Sequence, residues 1–157
     1  MAGVLKEQEN FHRACGIILT NSTKLLREAL AFYKPPSQCP TSITVAKGGP
    51  SLSKVQQNII KNIAASNSYK DCDVSLLYFL FRALVKGIKF KPTNGWNKVV
   101  HASATTLADD LERIRSIRNE DIGHSTDSRM TCADYTIFIA EMEKIMARAD
   151  ANYNGLV

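Results

Sequence analysis

The 157-residue sequence lacks an apolar run long enough to cross a membrane. Its longest apolar run, residues 74–84, is interrupted by Ser75 and Arg82 and is shorter than the roughly 20 residues that a bilayer requires. The N-terminus turns polar after five residues, which is unlike a secretory signal peptide. The sequence therefore predicts a protein without membrane association.

Cysteine is sparse, and no two cysteines form a C-x-x-C pair. Most of the four lie in or near apolar helical patterns, where a reduced thiol packs as a small hydrophobe; they are Cys15, Cys39, Cys72 and Cys132. This usage favours a reducing, intracellular compartment, and we expect a cytoplasmic protein. His12 and Cys15 have a metal-like spacing, but no second pair could complete a zinc site.

Other catalytic signatures are also missing. The sequence has no glycine-rich phosphate loop, no serine or cysteine nucleophile motif and no paired carboxylates typical of metal catalysis. We therefore expect neither a metal nor a cofactor.

Strand-like alternation is almost absent, since residues 41–46 are the longest such segment. Five helical patterns predict an all-α fold, a helical bundle of about five helices with two long loops at 34–50 and 87–103. The helices are predicted at about 4–33 (in one or two pieces), 51–66, 73–85, 106–122 and from 131 onward. We expect a single domain over 1–157, with its core at about 4–149 and a frayed tail at 150–157.

Helix starts are marked by side chains that can accept hydrogen bonds from free backbone N–H groups. Asp73 is a good N-cap, and Thr106 and Thr131 are each followed three residues later by an aspartate. The helix after Asp73 is apolar almost all round, which predicts that it is central and buried.

The fourth helical pattern contains an arginine where an apolar residue is expected. On a wheel of about 100° per residue, Arg118 falls on the same stripe as Leu111 and Ile114. An arginine is rarely buried without a partner, so a carboxylate, a subunit interface or an anionic ligand should satisfy it.

A histidine follows closely, because Gly123 can turn the chain and bring His124 back toward Arg118 and Asn119. An arginine that holds a phosphate, a histidine that moves a proton and an orienting amide would suit cleavage of an RNA phosphodiester. The alternative is structural: Arg118 pairs with Glu120, Asp121 or a remote carboxylate, and His124 caps the helix.

The order of several short motifs resembles a known superfamily. Arg118-Asn119-x-x-x-Gly123-His124 is similar to the R-x4–6-H signature of HEPN domains. The run at 73–82, Gly95-Trp96 and the Leu111-x-x-Ile114-Arg115 pattern resemble the HEPN domain of the E3 ubiquitin ligase DAZ-interacting zinc finger protein 3 and its relatives. The resemblance covers roughly Leu25 to Arg148 and is densest from Asp73 to His124.

The resemblance implies a fold, a partner and an activity. It implies that Arg118, Asn119 and His124 occupy the catalytic positions of a metal-independent endoribonuclease, and that two copies pair as a homodimer. Other HEPN domains only mediate protein contacts. The alternative is therefore a non-catalytic interaction and oligomerisation module of a larger innate-immune or ubiquitin-ligase protein.

The positive charge of the chain is compatible with RNA as a partner. The net charge is +5 and the isoelectric point is about 9.1. The loop lysines and two aromatic residues could form a strip for RNA, with Arg115 as a further candidate; they are Lys86, Lys89, Lys91 and Lys98 with Phe90 and Trp96. The alternative is that the lysines are merely solvated and that Trp96 packs over the core.

Overall fold

The computed structural model describes residues 2–44, 51–86, 90–122 and 127–153, and these residues contain no strand. Six α-helices follow in order: α1 (Ala2–Ile17), α2 (Thr23–Tyr33), α3 (Lys54–Ser66), α4 (Val74–Leu84), α5 (Leu107–Ile117) and α6 (Cys132–Tyr153). A π-helical turn, Ile18–Ser22, joins α1 to α2, and a second, Arg118–Ile122, extends α5. Since α1 and α2 run on as one helical segment, the predicted all-α bundle of about five helices is confirmed.

Local capping explains where four helices begin. Ser53 and Gln56 form a capping box at α3, and Thr106 and Asp109 form one at α5. The Asp73 carboxylate accepts the Leu76 N–H at 2.8 Å, and the Thr131 hydroxyl accepts the Asp134 N–H at 3.1 Å. The starts predicted at Asp73, Thr106 and Thr131 are therefore confirmed.

The central helix of the bundle is α4, as predicted. Leu77, Leu80 and Phe81 are fully buried in a continuous hydrophobic core that also receives residues from each of the other helices. Because such a helix is held by packing on most sides, it is a rigid base for the side chains on its remaining exposed face.

The residues before position 50 share this core. Ala14 on α1 and Leu26 on α2 have no exposed surface. The Met130 N–H donates to the Glu7 carbonyl at 3.0 Å, and the Asn10 side-chain amide donates to the Met130 carbonyl at 3.3 Å. The segment that leads into α6 is thus bonded directly to α1.

Some large apolar side chains lie outside the core, since Leu19, Phe32 and Val55 are exposed. Leu19 lies inside the first π turn, where the extra residue per turn shifts the phase of the apolar stripe. Helix α6 continues to Tyr153, so the first residues of the tail expected to fray are helical; residues 154–157 lie outside the described ranges.

All four cysteines are free thiols, and Cys39 and Cys72 are buried. Burial raises the pKa of the Cys72 thiol to about 12, so this group stays protonated. No helix within the described ranges is long and apolar enough to pass through a bilayer.

Candidate nucleic-acid groove

An open groove of about 870 Å³ runs along α4. Its other sides are the segment around Ile43, the first turn of α3 and the end of α5. Four cationic residues line it, namely Arg82, Lys86, Arg115 and Arg118, and no carboxylate residue is among the described residues of the lining. The groove therefore suits an anion.

Helix α5 places its charged side chains on two sides of one apolar stripe. Leu111 and Ile114 are fully buried and hold the helix to the core. Asp110 bonds to Arg148 on α6, whereas Arg115 belongs to the groove. One helix thus joins the bundle on one side and supplies the groove on the other.

The helical wheel places Arg118 on the apolar stripe, but its side chain is exposed at the groove. Regular α-helical spacing ends at Ile117, and Arg118 opens the π turn, so the helical wheel no longer holds there. The long side chain also lets the guanidinium reach solvent. Short π turns occur frequently at functional sites, and this one coincides with the Arg118-Asn119 motif.

The partner of Arg118 is its neighbour in sequence. The Arg118 Nη1 donates to the Asn119 Oδ1 at 2.9 Å. Glu120 accepts instead from the Ser116 hydroxyl at 2.9 Å, and Arg118 forms no ion pair with a side chain that the structure describes. The guanidinium therefore keeps donors available for an external anion. Gly123 and His124 lie outside the described residues, so the convergence of His124 with Arg118 stays a prediction.

Sequence reasoning missed Arg82, which appeared only as an interruption of an apolar run. Its guanidinium lies 5.5 Å from the centre of the Tyr78 ring and 5.6 Å from that of Trp96. It makes no hydrogen bond or ion pair to any residue in the described ranges. A lone cation in the most apolar helix was the available signal, since such a residue must face away from the core.

Beneath Arg82, a polar network fixes the floor of the groove. The Tyr78 hydroxyl donates to the buried Glu112 carboxylate at 2.5 Å, and the Asn97 N–H donates to the same oxygen at 3.0 Å. Burial, and then the hydrogen bond to Glu112, raise the pKa of Tyr78. Tyr78 therefore remains a protonated donor at neutral pH, and this bond holds α4 and α5 together.

The predicted lysine strip is only partly gathered by the fold. Lys86 lines the groove together with Arg115, whereas Lys91 and Lys98 are exposed and do not line it. Lys89 lies outside the described ranges.

The two aromatic residues of the strip pack into the protein. Phe90 is buried and stacks on Phe81 with the ring centres 5.1 Å apart, and Trp96 meets Tyr78 edge-on at 5.6 Å. The structural alternative for Trp96 is thus the one observed. In the part of the chain that is described, no three potential metal ligands cluster.

The all-α bundle, with Arg118 exposed and Asn119 partly buried where α5 ends, is consistent with a HEPN-class domain. The family model described as DZIP3/ hRUL138-like HEPN matches residues 50–153, two thirds of the chain. The chain belongs to this family, which confirms the resemblance inferred from its motifs. A search of curated proteins and a search of solved structures each found no match.

Proposed function

We propose that this HEPN domain is a metal-independent endoribonuclease that acts on single-stranded RNA as a homodimer. The observation that carries the proposal is the exposure of Arg118 in a groove with three further cations and no described carboxylate residue. A phosphate backbone is the ligand class that such a groove attracts most strongly. The proposal treats residues 1–157 as one domain, because the residues before position 50 pack into the same hydrophobic core as the rest of the chain.

The site residues would act on RNA without a metal. His124 of one copy removes the proton from the 2′-OH, and the 2′-oxygen forms a bond to phosphorus. The bond from phosphorus to the 5′-oxygen breaks as that oxygen receives a proton from the protonated histidine of the second copy. Arg118 stabilises the negative charge of the phosphorane. Asn119, through its 2.9 Å hydrogen bond, holds the Arg118 guanidinium in place.

Dimerisation would solve a difficulty of this reaction. One histidine cannot easily serve as base and acid in the same step, whereas two copies of the chain supply two histidines and two arginines. Sedimentation analysis should therefore find a dimer at micromolar concentration. A monomer that persists up to millimolar concentration would contradict this part of the proposal.

The test of activity is cleavage of single-stranded RNA in the presence of EDTA. The wild-type protein should leave 2′,3′-cyclic phosphate ends and spare DNA, which lacks the 2′-OH. His124→Ala should lower the rate by about two to four orders of magnitude through lost proton transfer. Arg118→Ala should lower it by at least about a hundred-fold. Arg13→Ala removes an equal charge from an exposed residue outside the groove and should cleave like the wild type.

The contrasting outcomes separate this function from its alternative. Negligible cleavage by wild type and His124→Ala alike, across a panel of RNAs, would reject the enzyme and favour a protein-interaction module of a larger signalling or ubiquitin-ligase assembly. Equal but substantial cleavage by both proteins would show that the activity does not come from this site.

A further inference from the structure

The groove has two chemically different sides. One side carries Arg82 and Arg115, whose guanidinium groups lie against aromatic rings. The other side, called the apolar side, carries partly buried apolar side chains from three separate segments, namely Ile43, Leu52, Phe79 and Leu84. Four polar residues of these segments also line the groove: Ser42, Thr44, Ser51 and Gln56. A ligand that fills the groove must therefore combine an anionic group with a flat or apolar one.

On the cationic side, two arginines flank the ring of one tyrosine. The Arg82 and Arg115 guanidinium carbons lie 5.5 and 5.1 Å from the centre of the Tyr78 ring. Contact with an aromatic ring orients a guanidinium and leaves its N–H edges free. Planar forks of this kind match the oxygens of a phosphate group.

The two arginines differ in their carboxylate partners within the described part of the chain. Arg82 has none, whereas the Arg115 Nη1 forms an ion pair with the Glu112 Oε2 at 3.7 Å. Glu112 accepts the hydrogen bonds from Tyr78 and from the Asn97 backbone at its Oε1, and its Oε2 faces Arg115. Its buried charge orients Arg115 without occupying the whole fork.

The apolar side is the right kind of surface for a nucleobase. Phe79 is only partly buried although it lies on the central helix, and Ile43 reaches the groove from a loop. An unpaired base can pack against an aromatic or aliphatic surface, whereas a base inside a duplex is already stacked and paired. The volume of about 870 Å³ lies within the range usual for sites that enclose small organic ligands.

We propose that the groove binds one nucleotide unit of single-stranded RNA, with its phosphate at Arg82 and Arg115 and its unpaired base against Ile43, Leu52 and Phe79. This inference rests on the proposed function and names how its substrate is selected. Arg82 and Arg115 bind and position the strand, and the apolar side discriminates single strands from duplexes. The chemistry itself remains with the residues of the Arg118 motif.

The test measures binding separately from cleavage. The protein carries His124→Ala so that the RNA stays intact, and fluorescence anisotropy follows three probes. They are an oligouridine of about eight nucleotides, a strand of the same backbone with abasic riboses, and a duplex of the same length. The length of about eight nucleotides is within the usual site size of a groove that binds single strands. Oligouridine should bind about ten-fold more tightly than the abasic strand, as expected when one base packs on one ring, and more tightly than the duplex.

Two variants should then separate the phosphate contact from the base contact. Arg82→Ala should weaken oligouridine and abasic strand by the same factor, and should reduce the slope of log affinity against log salt by about 0.7, the value for one phosphate contact on a single strand. Ile43→Ser should weaken oligouridine alone and bring it close to the abasic strand. Arg13→Ala and Val99→Ser alter exposed residues outside the groove and should match the parent protein.

The outcomes test the base site separately from the proposed endoribonuclease activity. If the wild type cleaves RNA but abasic strand and oligouridine bind equally, the base site is refuted and the endoribonuclease stands. If oligouridine is preferred and Ile43→Ser abolishes the preference while the wild type does not cleave, the base site stands and the enzyme falls. An Arg82→Ala variant that binds like its Arg13→Ala control would overturn the phosphate contact, and no binding of any probe would overturn the groove altogether.

Discussion

Arg113 on α5 and Arg118, the first residue of the π turn that extends α5, look alike in sequence and differ in their surroundings. Arg113 bonds to Asp110 at 2.8 Å, to Glu141 at 3.1 Å and to the carbonyls of His101 and Ala104 at 2.8 and 2.6 Å. Arg118, five residues later, has one hydrogen bond within the described ranges, to its own neighbour Asn119. Arg113 therefore uses its donors within the protein, whereas Arg118 keeps donors that no described residue accepts from.

The same contrast is found between α6 and α4, the two helices on either side of α5. Arg148 on α6 completes a mostly buried buttress of charges with Asp110, Arg113 and Glu141, and its hydrogen bond to Asp110 raises the pKa of the Arg148 guanidinium. Arg82 on α4 has only ring contacts in the described structure. Charge on the α6 side thus stabilises the bundle, whereas charge on the α4 side is available to bind. The number of unused donors, rather than the presence of an arginine, is therefore the feature on which the proposed binding side rests.

Breaking the buttress should have the largest effect on stability. Asp110→Asn leaves two arginines without their shared buried carboxylate, and should lower the free energy of unfolding by about 3–5 kcal/mol. Urea denaturation provides the measurement. The matched change Glu28→Gln, in an exposed pair with Lys24, should barely move the midpoint. Equal effects of the two substitutions would show that the buttress is not a structural element.

The base of the groove can be tested next. Leu80 is fully buried on α4, two residues before Arg82, so Leu80→Ala should cost about 2–5 kcal/mol of unfolding free energy as a core truncation. Val99→Ala, at a residue 84% exposed, is the control. A loss below about 1 kcal/mol for Leu80→Ala in urea would mean that α4 is not the rigid base that holds Arg82.

The smallest expected effect is on the loss of stability at acidic pH. Burial alone would raise the pKa of Asp109, but hydrogen bonds from Thr106 and Thr93 outweigh it and hold the pKa below its ordinary value of 3.8. A depressed pKa in the folded state adds stability above the unfolded pKa, and this stability is lost as the pH falls through the folded pKa.

Unfolding free energy should therefore decline less steeply below about pH 4 in Asp109→Asn than in the wild type. Urea melts at a series of pH values measure this slope. Asp71→Asn, the same change at an exposed residue, is the matched control. An unchanged slope in Asp109→Asn would show that these hydrogen bonds do not favour the carboxylate.

Sequence reasoning succeeded where the determinants are local. A cap residue and its partner lie within one turn, so the starts at Asp73, Thr106 and Thr131 could be predicted. The apolar run of α4 likewise identified the central helix. The HEPN resemblance rested on the order of such local features, and the family match over 50–153 confirms it.

The sequence did not predict features that depend on distant segments or on irregular turns. The exposure of Arg118 depends on a π turn that interrupts regular helical spacing. The groove joins residues near position 43, the start of α3, α4 and the end of α5, so Arg82 could not be assigned to it before folding brought these segments together. The network under Tyr78 was hidden for the same reason, because Glu112 is distant from it in sequence.

We propose that arginines with unused donors bind RNA, and that arginines whose donors are bonded within the protein stabilise the fold. The most direct measurement compares Arg118→Ala with Arg148→Ala, recording for each the RNA cleavage rate in EDTA, the melting temperature and the dimer by sedimentation. The account predicts that Arg118→Ala loses at least about a hundred-fold in rate while it melts like the wild type. Arg148→Ala should melt at a lower temperature and cleave normally below it. Cleavage unchanged in Arg118→Ala, or a melting temperature that falls as far in Arg118→Ala as in Arg148→Ala, would contradict the account.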